Sequence, residues 1–303
     1  MKNSYEITSK RKPFTENFWY LIFLVPFLII FLAFTVIPIG SSIVLSFTNF
    51  DMIEKIEFAG LTNYIRMLFD DSVFTVVFKN TVMFALITGP LGFLFSFVLA
   101  WFLNEFRPII RTALSFMFYA PALVGNALYI WQVAFSSDSY GYINSLLLSI
   151  GIITEPILWL KNANYVVGIV IIVQLWQSMG VSFLANISGL QNVNNEMYEA
   201  GAIDGIRNRW QELWYITLPT MKHMLLFSAV MQIASSFSFS ALAIQLAGYP
   251  SVNFAGDTIV SYMSVVGTVR YEMGYASAMA VVLFALMSIF RWIVNKALNS
   301  TGK

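Results

Sequence analysis

The sequence predicts an all-α membrane protein with about six transmembrane helices, and three observations predict it. Apolar residues make up 58% of the chain and charged residues only 11%, with 28 Phe among the 303 residues. A water-soluble domain would need far more polar surface to cover that much apolar material. The apolar residues also fall in long unbroken runs rather than amphipathic stripes, and about 18 or more in a row read as a membrane-crossing helix. Finally, Lys and Arg are distributed asymmetrically about those runs.

The runs lie at 19–47, 80–103, 112–136, 165–190, 223–247 and 274–297. The first follows Lys10, Arg11 and Lys12 as a signal peptide would, but it is too long for a signal core and is read as an uncleaved anchor. Pro26 and Pro38 within it are tolerable where neighbouring groups re-satisfy the freed backbone. A seventh stretch, 143–160, is interrupted by Glu155-Pro156 and is short; it is read as an external or interfacial helix.

With six spans and the N-terminus inside, twelve of the 17 Lys and Arg fall on cytoplasmic segments and five on outer ones. Counting 143–160 as a span would move Arg207, Arg209 and Lys222 outside and spoil that bias. The organisation expected is a cytoplasmic segment 1–18, a membrane domain 19–297 and a cytoplasmic tail 298–303. Both termini lie inside. The outer segments 48–79, 137–164 and 248–273 read as loops.

The net charge of +1 and the lack of a long basic block give no sign of nucleic-acid binding. Cysteine is absent, which removes disulfides, thiol chemistry and Cys metal sites.

One inner segment, 191–222, is too polar for lipid and too patterned for a slack linker. Asn194 or Asn195 is placed to cap a helix whose first turns carry Glu196 and Glu199. Asp204-Gly205 ends that helix, and a second one through Trp210, Leu213 and Trp214 is predicted to stop before Pro219. Physical reasoning leaves two readings for this helical hairpin: an interfacial element with Trp at headgroup level, or a docking element for a partner.

The residues Glu199-Ala200-Gly201-x-x-Asp204-Gly205, followed by Ile216-Thr217-Leu218-Pro219, resemble the EAA loop of membrane subunits of binding-protein-dependent ATP-binding-cassette importers. The IleThrLeuPro ending and Trp210-Gln211 are most similar to the carbohydrate branch, the maltose-type and glycerol-phosphate-type permeases. Phe58-x-Gly60-Leu61-x-Asn63-Tyr64, with Asp71, Phe74 and Asn80-Thr81, resembles an outer segment of the same branch. Two departures stand out. Gly201 replaces the usual Ala, and one extra residue separates Gly205 from Ile216.

The resemblance implies a type I importer permease fold in which the loop forms a coupling helix seated on an ATPase subunit. Glu199, Ala200, Gly201, Asp204 and Gly205 would set the loop geometry, and Ile216, Leu218 and Pro219 would join it to the fifth span. The chain has no GxxxxGK[ST] phosphate loop, so ATP and Mg²⁺ belong to separate ATPase subunits, two per complex, and this chain is no enzyme by itself. A second, related permease subunit, giving a heterodimer, and an extracellular substrate-binding protein are the other partners implied. The cytoplasmic membrane of a prokaryote is the implied location.

No Asp, Glu, Lys or Arg lies near the middle of a span, which argues against ion coupling and mildly for a neutral substrate. The polar residues inside spans are amides and hydroxyls. Gln174, Ser178, Ser182 and Asn186 share one face of the fourth span, and Ser228, Gln232 and Ser235 one face of the fifth, with Ser236 alongside. Asn126 sits in the third. Asn126, Gln174, Gln177, Ser178, Gln232, Ser235 and Ser236 are candidate linings of a sugar path, with Trp131, Trp176 or Phe239 available to stack on a pyranose. The same residue types also join membrane helices to one another. His223 is given no role, and the outer carboxylates Asp51, Glu54, Glu57, Asp70 and Asp71 read as solvated surface. An ion-coupled or passive secondary transporter is the competing reading; an intramembrane enzyme lacks any visible catalytic pair.

Overall fold

The computed structural model describes residues 14–124, 127–177 and 179–300. The outermost parts of both predicted terminal segments, 1–13 and 301–303, lie outside that range. Among the described residues the chain is helical, apart from one isolated β-bridge between Thr48 and Phe58.

Three helical stretches are long and apolar enough to cross a membrane, Phe23–Leu45, Ser72–Asn104 and Met273–Ala297. Three bent helix pairs pass the same test when each is taken as one span, which brings the number from three to as many as the six predicted. The first crossing joins α1 (Phe14–Phe31) to α2 (Ile37–Leu45) through a π-turn at Leu32–Val36. Its window is 0% buried within this chain, and only its far part, α2, packs on the last helix. Short α3 (Thr62–Ile65) leads into α4 (Ser72–Asn104), a helix of 33 residues.

Helix α4 is about 50 Å long at 1.5 Å per residue, well beyond the thickness of a hydrocarbon core. It begins two turns before the apolar run suggests because Asp71 caps it, accepting the Phe74 amide at 2.9 Å. Those turns carry Ser72, Thr75 and Lys79, which break the apolar run without breaking the helix.

The third crossing is α5 (Pro108–Leu123) with α6 (Leu128–Ala134), bent by 81°. The fourth is α8 (Ala163–Gln177) with α9 (Val181–Gln191), bent by 41°. Between them the predicted external helix 143–160 is only α7 (Tyr142–Ser149). The rest is a turn closed by fully buried Asn144, which donates to the carbonyls of Ser136, Asp138 and Ile157 and accepts from Trp159 Nε1 at 2.8 Å. Helix α7 stops because Gly151, at φ +72°, closes it, with the Ile152 amide bonded to Leu147 O at 3.0 Å and the Gly151 amide to Leu148 O at 3.1 Å.

The loop 191–222 contains α10 (Asn195–Ile203), α11 (Arg209–Glu212) and α12 (Leu218–Thr220). The fifth crossing is α13 (Lys222–Ser238) with α14 (Ala241–Ala247), bent by 43°. The outer segment 248–273, expected to be a loop, holds a ten-residue helix α15 (Ile259–Thr268). Thr258 and Ser261 form a reciprocal capping box at its start. The sixth crossing is α16 (Met273–Ser300).

Helix α4 is the centre of the packing: α8, α9, α13 and α15 all lie against it. Three apolar clusters follow from that arrangement. Phe74, Val77, Tyr262, Tyr275 and Met279 join α4 to α15 and α16. Phe84, Val170, Phe239 and Leu242 join it to α8 and α14. Phe97, Leu103, Phe183, Leu213 and Leu225 hold the end that carries the loop.

Candidate functional site

Asn194 provides the cap for α10: its side chain accepts the Glu196 amide at 3.1 Å and donates to Glu196 Oε2 at 3.0 Å. The helix ends at Asp204-Gly205, with Gly205 at φ +96°. The amide of Ile206 bonds to Gly201 O at 2.9 Å and that of Gly205 to Ala202 O at 3.3 Å, the paired bonds of a Schellman cap. The predicted turn is therefore present, and its glycine is needed for the positive φ.

Asn208 caps α11 by accepting the Gln211 amide at 2.9 Å. The helix then widens into a π-turn at Leu213–Thr217, with the Leu218 amide bonded to Leu213 O. A π-turn absorbs one additional residue within a continuing helix, and this one lies between Gly205 and Pro219. The expectation that the second helix stops before Pro219 is corrected here. Thr217 and Leu218 keep helical dihedrals, and Pro219 falls in the first turn of α12, where its missing N–H matters least.

The two arms of the loop are fastened to each other. Tyr198 Oη and Thr217 Oγ1 are 2.9 Å apart, and Ile216 closes over Gly201. Leu213, Ile216 and Thr217 are buried, while Glu199, Ala200, Ala202, Asp204 and Gly205 are exposed. Ile203 is 88% exposed. The hairpin thus presents its α10 turn outward on a fixed base. Leu218 and Pro219 lead directly to α13.

At the opposite end of α4 the second motif has a structural explanation. Asn63 donates to the carbonyls of Ser46 and Thr48, at 2.9 and 2.8 Å, and fixes the end of the first crossing. Asn80 donates to Phe254 O at 2.7 Å, and Thr81 Oγ1 accepts the Ile259 amide at 2.8 Å. Asp71 is not the solvated carboxylate expected: it is half-buried and accepts the hydroxyls of Tyr262 at 2.6 Å and Tyr275 at 2.7 Å. Burial pushes its carboxyl upward, but the bonds from Tyr262, Phe74 and Tyr275 outweigh that and hold it below its ordinary value. Arg66 completes the cluster, paired with Glu272 at 2.5 Å and stacked 4.2 Å over the Tyr275 ring.

Of the predicted path residues, Asn126 and Ser178 lie outside the described residues. Gln174 is buried and directs Nε2 to Ser235 O at 3.3 Å. Gln232 is buried and donates to Thr88 O at 3.2 Å. Ser236 bonds to Ile233 O and faces Gly89. Neighbouring Ser182 and Ser228 exchange two bonds of 3.1 Å, and Asn186 donates to Ser96. Gln174, Ser182, Asn186, Ser228 and Gln232 thus make bonds between α4, α8, α9 and α13, while the bond of Ser236 stays within α13. Gln177 and Ser235 are only half-buried. Trp131 and Trp176 meet edge to face at 5.5 Å. Among the described residues no group of His, Asp and Glu is placed to hold a metal.

Residues 90–300 match the profile of the binding-protein-dependent transport system inner membrane component. The chain belongs to this family. The permease is 34% identical over 281 residues to the probable ABC transporter permease protein YesP of Bacillus subtilis, covering 90% of this chain and 88% of that one. It is 30% identical to the arabinooligosaccharides transport system permease protein AraP of B. subtilis, covering 92% and 88%. It is 32% identical to the lactose transport system permease protein LacF of Rhizobium radiobacter, covering 74% and 73%. Its fold matches a chain of a bacterial alginate ABC transporter crystallised with an alginate pentasaccharide-bound periplasmic protein, with a TM-score of 0.76 at 22% identity over 95% and 96% of the two chains. The permease is therefore a membrane component of an ATP-binding-cassette importer, and the stand-alone carrier and the intramembrane enzyme fall away.

Proposed function

We propose that this permease forms one half of a heterodimeric path for a sugar or oligosaccharide, received from an extracellular binding protein. Two ATPase subunits holding ATP and Mg²⁺ drive it through the loop 191–222, which lies on the cytoplasmic side with both chain termini. The observation that carries this reading is the build of that loop. A Schellman cap and a buried Gly201–Ile216 contact make it rigid, yet Ala200, Ile203, Asp204 and Gly205 stand clear of the chain. An exposed crest with Ile203 at 88% exposure, on a rigid base, is suited to seat in a partner's cleft.

When ATP closes the ATPases, the seated loop moves, and Leu218-Pro219 carries that motion into α13. The path follows the bends of the third, fourth and fifth crossings, since backbone freed from helical bonding at membrane depth is tolerated where it lines a cavity or is buried in protein. Gln177 and Ser235, with Asn126 and Ser178 in the same stretches, supply the hydrogen bonds a hydroxyl-rich solute needs. The carbohydrate reading draws on the names of the relatives AraP and LacF and on the neutral character of these groups.

The test is uptake of labelled neutral oligosaccharides by vesicles containing the complete transporter and its binding protein. ATP-dependent accumulation of an oligosaccharide supports the proposal. A transporter that accumulates only amino acids or inorganic ions under the same conditions overturns the substrate class.

A further inference from the structure

The loop is not held by α13 alone. Arg209 forks at the start of α11: Nη1 lies 2.8 Å from Glu212 Oε2 and Nη2 lies 2.7 Å from Glu105 Oε2. Glu105 is the residue that ends α4. One turn back along α4, the Trp101 ring lies 5.3 Å from the ring of Trp210, the residue after Arg209. An ionic contact and an aromatic contact, side by side, thus join the second arm of the loop to α4 by a route separate from the covalent one through Leu218-Pro219. Helix α4 in turn has α8, α9, α13 and α15 packed along it. Its far end is Asp71, locked to Tyr262 of α15 and Tyr275 of α16.

We infer that α4 is a second lever of the loop, with Arg209 held by Glu105 as the positioning contact that passes loop displacement to α4 and, along its length, to the Asp71–Tyr262–Tyr275 cluster. This rests on the reading of the loop as the seat of an ATPase. The side chains of Arg209 and Glu105 are 63% and 45% exposed, and ion pairs so open to water add little to fold stability. Helix α4 runs from Ser72 to Asn104 with Pro90 inside it. Pro90 removes one backbone bond, and α8, α9, α13 and α15 packed along α4 brace it, whereas a hairpin hinged only at α12 would swing without moving α4.

The experiment uses the complete transporter with its ATPase and binding protein in vesicles, reading substrate moved per ATP hydrolysed. Glu105→Gln, Arg209→Gln and the double variant are compared with the unaltered chain. Because this chain has no cysteine of its own, Glu105→Cys with Arg209→Cys can be joined by a bifunctional thiol reagent of the length of the original bridge. The expected result is a drop in coupling of about fivefold in each single variant, no further drop in the double variant, unchanged recovery of the ATPase with the permease, and restored coupling once the thiol bridge is formed. Full coupling in the neutral variants overturns the inference, as does a thiol bridge that stops transport, because the loop would then have to move against α4. Failure of the underlying docking reading is seen separately, as absence of any ATPase with the unaltered chain, and removes the lever with it.

Discussion

Ile216 lies over Gly201 so closely that a methyl group on Gly201 would stand 2.6 Å from Ile216 Cδ1. Ile216 stands in the π-turn Leu213–Thr217, and its side chain occupies the space an alanine methyl at Gly201 would fill.

Gly201→Ala should therefore gain less than the roughly 1 kcal/mol that Gly→Ala brings inside a helix, or lose stability outright. Removing the obstructing carbon restores the gain. Gly201→Ala with Ile216→Val is expected to melt higher than Gly201→Ala alone, by more than the separate effects add to. Thermal unfolding of the purified complex, followed by circular dichroism, measures both.

Gly205 offers a different case, because nothing lies within 4 Å of a side chain placed there and the only obstacle is its φ of +96°. A β-branched residue resists that backbone at a cost of about 1–3 kcal/mol. Asn tolerates positive φ better. Gly205→Val should abolish most transport and Gly205→Asn should retain a larger share, with vesicle uptake as the readout; equal activities would place the turn elsewhere.

Asp71 predicts an acid limit. Its folded carboxyl lies below the ordinary value, so the stability it contributes is complete above about pH 4 and fades as pH falls through the folded value. The melting temperature of the complex should be flat from neutral pH down to that range and then fall. Asp71→Asn should lower the plateau and flatten the acid slope. At the other extreme Tyr262 is pushed up, by burial first and then by its bond to Asp71, so its contribution is complete below about pH 10 and is lost as pH rises beyond that.

The polar residues of the spans separate by exposure. Gln232→Leu exchanges one interhelical bond for an apolar contact, a change of about 0.6 kcal/mol in membrane helices, and should leave the apparent KM for substrate within about twofold. Gln177→Leu should raise that KM. The opposite ranking would place the path between α4 and α13.

The six crossings were legible because lipid demands long apolar runs, and the loop was legible because capping and turn residues announce themselves locally. Other elements were hidden for identifiable reasons. The outer turns of α4 carry Ser72, Thr75 and Lys79, which read as polar loop. Helix α15 is too short to span, and its capping box has Ser261 where the usual pattern has Glu or Gln. Arg209 and Glu105 are 104 residues apart, so no local pattern pairs them. Gln174 and Gln232 lie on polar stripes whether they line a path or join helices, so the stripe alone leaves their bonds to Ser235 and Thr88 unforeseen.

The proposed function requires an ATPase to grip the exposed crest of the loop. A photoreactive residue introduced at Ile203, which is 88% exposed, tests it most directly. Irradiation of native membranes should yield a cross-link to a polypeptide carrying a phosphate-binding loop, with a yield that changes on adding ATP. Cross-links to lipid alone, unaffected by ATP, would contradict the account and make the hairpin an element of the membrane interface.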